Sequence, residues 1–225
     1  MESDHRDYSV EKTAAGLQLV SHKHPQFKPL RIDFLQGKAA YRRQHGGGNK
    51  QMLAKACGIK VNAVLSIIDV TAGLGQDAFV LASLGCKVLM LEKSIILGAL
   101  LQDALDRLYA DPSSQGIDLQ LVIADALDYL AQIKSDTAPD VIYCDPMFPV
   151  RQKSALVKKE MQILHDLIGL DPAPEKLVLA AMAAAKQRVV IKRPRHSPAL
   201  LAQPPTFTLA GQATRFDVYV LHQSK

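Results

Sequence analysis

From Val61 onward the chain alternates two hydrophobic patterns. Short, dense apolar runs predict buried strands at 64–70, 87–92, 119–123, 140–144 and 188–192. Between them, apolar residues recur at helical spacing, predicting helices over 77–84, 95–109, 126–133, 156–168 and 174–185. Gly85 and Asp111-Pro112 read as helix stops. Residues 207–209 and 214–221 read as a closing antiparallel pair around Gly211. Strands alternating with helices predict an α/β, Rossmann-like fold, a mostly parallel sheet with helices on both faces and an antiparallel C-terminal hairpin. The stripe from Ile95 to Leu108 is expected in the core.

Before Val61 the pattern is weaker. Residues 1–30 are polar with scattered prolines and suggest a small appendage, a short hairpin. Residues 31–60 mix helical spacing (Met52, Leu53, Ala56) with the loop His45-Gly46-Gly47-Gly48-Asn49-Lys50. The chain divides on this basis into a basic N-terminal extension, residues 1–60, and an α/β domain, residues 61–225. The glycines of the loop suit either a connector or a lid.

Composition narrows the function classes. The 48% apolar content of the 225 residues supplies a sizeable core. No apolar run is long enough for a membrane span, and the charged start is not expected to be a signal peptide. Three separated cysteines argue against a disulfide framework and fit a reduced cytoplasm. Cys144, inside a predicted strand, reads as a small buried hydrophobe rather than a nucleophile. The seven histidines are scattered, so no metal site is expected. Lys23, Lys28, Arg31, Lys38, Arg42, Arg43, Lys50, Lys55 and Lys60 face a single acid, Asp33, in that interval. A second cluster, Lys186, Arg188, Lys192, Arg193 and Arg195, contains no acid. Two acid-poor clusters favour a polyanionic partner.

The candidate chemistry lies at predicted strand ends, where open parallel sheets bind ligands. Asp69, Glu92, Asp125 and Asp145 all fall there. Four acids on one rim would repel one another unless a ligand supplied donors. Asp69-Val70-Thr71-Ala72-Gly73-Leu74-Gly75-Gln76-Asp77 reads as a tight strand-to-helix turn. Gly73-x-Gly75-x-x-Ala78 also matches a dinucleotide fingerprint, and Glu92 lies where an acid would grip ribose hydroxyls. The turn alone therefore does not separate a nicotinamide enzyme from one using S-adenosylmethionine. The later strands separate them better. Asp125 could accept from an adenine amino group. Asp145-Pro146-Met147-Phe148 offers a carboxylate and a carbonyl to a planar amine, and a ring to stack on its base.

Here the residues reach a family. Asp69-x-x-x-Gly73-x-Gly75, Glu92, Asp125 and Asp145-Pro-x-Phe148 resemble class I S-adenosylmethionine methyltransferases acting on exocyclic amines of nucleobases. The general motif has a second proline where this chain has Met147. The string Asp145-Pro-Met-Phe-Pro149 is similar to the bacterial small-subunit ribosomal RNA methyltransferase J family. So are the Asp69–Asp77 turn, Arg31-Ile-Asp-Phe34, His45-Gly-Gly-Gly-Asn49, Lys192-Arg-Pro194 and Arg215-Phe-Asp-Val-Tyr219. The resemblance implies the class I fold and methylation of a guanine N2 in small-subunit RNA, as naked RNA or a pre-ribosomal particle. S-adenosylmethionine would be the cofactor and S-adenosylhomocysteine the product.

It also implies cofactor contacts at Gln76, Asp77, Glu92, Lys93, Asp125, Ala126 and Asp145, beside Asp69, Gly73 and Gly75. Asp145, Pro146 and Phe148 would then handle the acceptor. Arg42, Arg43, Lys50, Lys192, Arg193 and Arg195 are the candidate RNA contacts. A monomer is expected. Three alternatives stay open: a nicotinamide oxidoreductase, a methyltransferase for another nucleobase amine, and a non-catalytic RNA-binding module.

Overall fold

The computed structural model describes residues 7–37, 41, 48–61, 63–147, 159–169, 171 and 173–221. The expected residues Arg42, Arg43, His45, Gly46, Gly47, Phe148 and Pro149 lie outside that set. The strands are β1 (Tyr8–Thr13), β2 (Gly16–Ser21), β3 (Ser66–Asp69), β4 (Lys87–Glu92), β5 (Asp118–Ile123), β6 (Val141–Cys144), β7 (Arg188–Pro194), β8 (Phe207–Ala210) and β9 (Thr214–Val220). The α-helices are α1 (Met52–Cys57), α2 (Gln76–Ser83), α3 (Ile95–Ala110), α4 (Ala126–Leu130), α5 (Lys159–Ile168) and α6 (Pro174–Ala184).

The main sheet has the order β5-β4-β3-β6-β7-β9-β8. Strands β5 through β7 are mutually parallel, and β9 and β8 close the sheet antiparallel. The continuous apolar runs follow from coverage on both faces, since successive strand residues point opposite ways. Ile67, Met90, Val141, Tyr143 and Val190 enter one core with residues of α1, α2, α3 and α5. Ile68, Leu91, Ile142, Cys144, Val189 and Ile191 enter a second core under α4 and α6. The stripe of α3 is buried at Leu97, Leu101, Leu105 and Leu108.

The chain runs outward from β3 through β4 to β5, then returns to build β6 and β7 on the other side. Strand order therefore reverses between β3 and β6, which opens a crevice at their carboxyl ends.

The expected N-terminal hairpin is β1–β2, paired from Tyr8↔Ser21 to Thr13↔Gly16. Its Tyr8 and Leu19, with Leu30, Ile32 and Phe34 after it, enter the same core as α3. Arg107 of α3 fixes this segment. Its guanidinium donates to the Ile32 carbonyl at 2.6 Å and pairs with Asp33 at 3.2 Å and Asp103 at 2.9 Å. Tyr8 and His24 reach Asp166 of α5 at 2.9 and 3.3 Å, and Lys23 pairs with it at 3.1 Å.

Gly73 and Gly75 of the first turn both hold positive φ, +55° and +68°, but for different reasons. A Cβ on Gly73 would have only the Thr71 carbonyl near it, at 3.8 Å, and Gly73 lines the crevice. A Cβ on Gly75 would meet Phe34 at 2.9 Å, Leu101 at 3.0 Å and Met90 at 3.2 Å. Gly75 thus lets the turn press onto the core. Gly75→Ala is expected to lower unfolding stability by about 2–4 kcal/mol, from overpacking and left-handed strain together. Urea denaturation of the ligand-free protein checks this, and a loss under about 1 kcal/mol would contradict it.

Candidate active site

The ends of β3, β4, β5 and β6 line a cavity of about 220 Å³. Its wall includes Thr71, Gly73, Glu92, Lys93, Asp125 and Ala126, with Asp145, Pro146 and Met147 on the β6 side. Of the expected site residues, Asp69, Gly75, Gln76 and Asp77 stand outside this lining.

The rim acids are not left to repel one another until a ligand arrives. The chain itself supplies donors to each. Asp69, 2% exposed, accepts from the Thr71 amide at 3.0 Å and its hydroxyl at 3.3 Å. Burial nonetheless pushes the Asp69 carboxyl up to about 7. Glu92, 4% exposed, accepts from the amides of Gly73 at 3.1 Å and Ser94 at 2.8 Å. Burial raises its carboxyl too, and those amides offset part of the rise. Asp125 caps α4, its Oδ1 accepting from the amides of Leu127 at 2.8 Å and Asp128 at 3.3 Å. The sequence reading missed this capping role, although an Asp directly before a helix is its usual signal.

Asp145 has the most elaborate support. Its amide donates to the Thr71 hydroxyl at 2.6 Å, tying the end of β6 to the turn after β3. Its Oδ2 receives the Lys192 ammonium at 2.8 Å. The same ammonium lies 2.8 Å from Asp77 Oδ2, which also accepts the Tyr143 hydroxyl at 2.7 Å. The Asp145 side chain is 38% accessible and lines the cavity. Burial raises its pKa, Lys192 pulls it back and Asp77 raises it again. Burial opposes a charge on Lys192, but Asp145 and Asp77 outweigh it and raise the ammonium's pKa. Lys192 therefore keeps its proton, and its charge opposes the upward push that burial gives Asp145.

The basic cluster near the C-terminus divides accordingly. Lys192, expected on the RNA-facing surface, instead bridges Asp145 and Asp77. Arg193, expected there too, is 4% exposed. The physical reason is that β7 runs on through Pro194, paired with β9 as far as Thr214, so both residues lie within the sheet. Arg195 and Lys50 are exposed. Thr71, Tyr143 and the bridging role of Lys192 escaped the sequence reading, because each depends on strands that are neighbours in space only. Cys144 is fully buried, and burial holds its thiol well above the usual range, which leaves it a packing residue.

The donor set fits an adenosine-bearing ligand. A buried carboxylate at the end of β4 suits ribose hydroxyls, and Gly73 clears space beside it. Asp125 keeps an oxygen that accepts no hydrogen bond among the described residues. Among those residues, no group of three or more His, Cys, Asp or Glu could hold a metal. No described helix is long and apolar enough to cross a membrane.

A family profile described as a putative S-adenosylmethionine-dependent methyltransferase matches residues 1–221. The chain is 45% identical to the ribosomal RNA small subunit methyltransferase J of Ectopseudomonas mendocina over 215 residues, 95% of this chain and 82% of the relative. It is 47% identical to the protein of that name from Coxiella burnetii over 220 residues, 97% and 86% of the two chains. The crystal structure of an S-adenosylmethionine-dependent methyltransferase from Neisseria gonorrhoeae aligns with a TM-score of 0.75 at 33% identity, covering 97% of this chain and 84% of that one. With this sheet order, this crevice and these relatives, the chain belongs to the S-adenosylmethionine-dependent ribosomal RNA small subunit methyltransferase J family.

Proposed function

We propose that this enzyme methylates the exocyclic N2 of a guanine in small-subunit ribosomal RNA, acting in the cytoplasm on the RNA or a pre-ribosomal particle. The observation that carries the reading is Asp145 at the end of β6: one carboxylate oxygen is pinned by Lys192, while the other accepts no hydrogen bond among the described residues. The small-subunit RNA follows from the names of the relatives. The guanine N2 follows from the resemblance of Asp145-Pro-Met-Phe-Pro149.

When bound, S-adenosylmethionine supplies an electrophilic methyl group. Glu92 would accept from its ribose hydroxyls, and Lys93, Asp125 and Ala126, which line the same cavity, would border its base. A guanine N2 is a weak nucleophile because its lone pair is delocalised into the ring. Asp145 Oδ1 and the Pro146 carbonyl would accept its two N–H bonds, aim the lone pair into the cavity and draw off the proton released on transfer. The acceleration comes mainly from placement and fixed dipoles. Phe148 is assigned to stack on the base. A guanine within an RNA helix must first be flipped out, at about a few kcal/mol. Exposed cations such as Lys50 and Arg195 would offset that cost through phosphate contacts.

Asp145→Ala is expected to cut single-turnover methyl transfer to small-subunit RNA by about 100-fold or more, with RNA affinity within about threefold of wild type. Near-normal turnover in that variant would rule out the assigned role. S-adenosylhomocysteine in excess should raise the melting temperature while NAD leaves it unchanged. The reverse pattern would support the oxidoreductase reading.

A further inference from the structure

We propose that Lys192 is a positioning residue for the acceptor carboxylate, gripping one oxygen of Asp145 so that the other remains turned to the substrate amine. The inference deepens the function proposed above and rests on its assignment of Asp145.

The geometry favours this over a phosphate contact. Lys192 arises on β7, directly beside β6, where Cys144 pairs with Ile191. The next residue of each strand then sits at the sheet's carboxyl edge. The Lys192 side chain is 27% exposed, and its ammonium lies 2.8 Å from both Asp145 and Asp77. Two carboxylates and one ammonium leave this trio with a net charge of −1, which repels a phosphate. Asp77 is in turn fixed by Tyr143, so the bridge is anchored on α2 and β6 at once.

Among the described residues, charged and titratable groups stand around Asp145 on several elements, and Glu92, Lys93 and Asp125 line the same cavity across from it. Asp69 approaches from β3, Asp77 from α2, Tyr143 and Cys144 from β6, Lys192 from β7 and Asp171 from the segment before α6. Among the described residues, Lys192 is the one cation that pairs with Asp145. Removing it leaves a carboxylate among carboxylates, so the amine acceptor would be protonated at higher pH. Neutralising Asp77 does the reverse, since the full ammonium charge then serves Asp145. The two changes therefore act in opposite directions on one titration, which loss of packing alone would not produce.

The test measures single-turnover methylation of small-subunit particles that lack the modification, against pH, for full-length wild type, Lys192→Met and Asp77→Asn. An Asp69→Asn background removes the nearby carboxyl that titrates close to neutrality. Lys192→Met should lose about tenfold in rate at pH 7 and move the acidic limb to higher pH. Asp77→Asn should move that limb to lower pH. The salt dependence of RNA binding should be unchanged in Lys192→Met; a shallower slope would make Lys192 a phosphate contact and overturn the inference. So would acidic limbs that stay in place. If Lys192→Met does not fold, Lys192→Gln, which keeps a polar side chain without the charge, is read in its place with the same expected and contradicting limbs. Loss of activity in Asp145→Ala with unmoved limbs would refute only this inference, whereas full activity in Asp145→Ala would refute the function beneath it.

Discussion

Asp145 stands at the end of β6, where burial disfavours the ionised form and the neighbouring Asp77 adds repulsion. Keeping a carboxylate there requires compensation from three directions. Lys192 supplies the opposite charge from β7. Thr71 takes the Asp145 amide and so fixes the backbone. Tyr143 and Lys192 share Asp77, which keeps that second acid from acting as a bare charge. Buried charges are tolerated when they are paired and hydrogen-bonded in this way. The order β3-β6-β7 brings Thr71, Asp145 and Lys192 to one edge.

The cofactor side of the crevice uses a different device. Glu92 and Asp125 each spend hydrogen-bonding capacity on the backbone of the turn that follows their own strand. Those bonds orient the carboxylates before any ligand arrives, which limits the ordering cost of binding. The first turn combines two glycine roles. Gly75 lets the chain pack on Phe34 and Leu101, and Gly73 keeps the wall of the cavity clear. A single short motif therefore serves the core and the ligand together.

Much of this was legible in the sequence. The alternation of β-branched runs with helical spacing specified the parallel sheet, because strands covered on both faces must be apolar throughout. The rim acids and the Asp145-Pro-Met segment were legible for a related reason: ligand-facing polar residues interrupt that pattern at strand ends. The electrostatic partners were not. Lys192 stands 47 residues after Asp145, and nothing in the local pattern distinguishes it from Arg193 or Arg195. Counting cations along the chain assigned all three to RNA, while Arg193 is buried where β7 pairs with β9 and Lys192 bridges Asp145 and Asp77. The docking of the N-terminal hairpin through Arg107 was hidden likewise, since it joins residues 75 apart.

The central claim is that the site presents an amine acceptor to a guanine of small-subunit RNA. It is tested most directly by transfer of a tritiated methyl group to small-subunit particles from cells lacking the enzyme, followed by digestion to nucleosides. The account predicts label in N2-methylguanosine. Label in another nucleoside, or no transfer to the RNA, would contradict it.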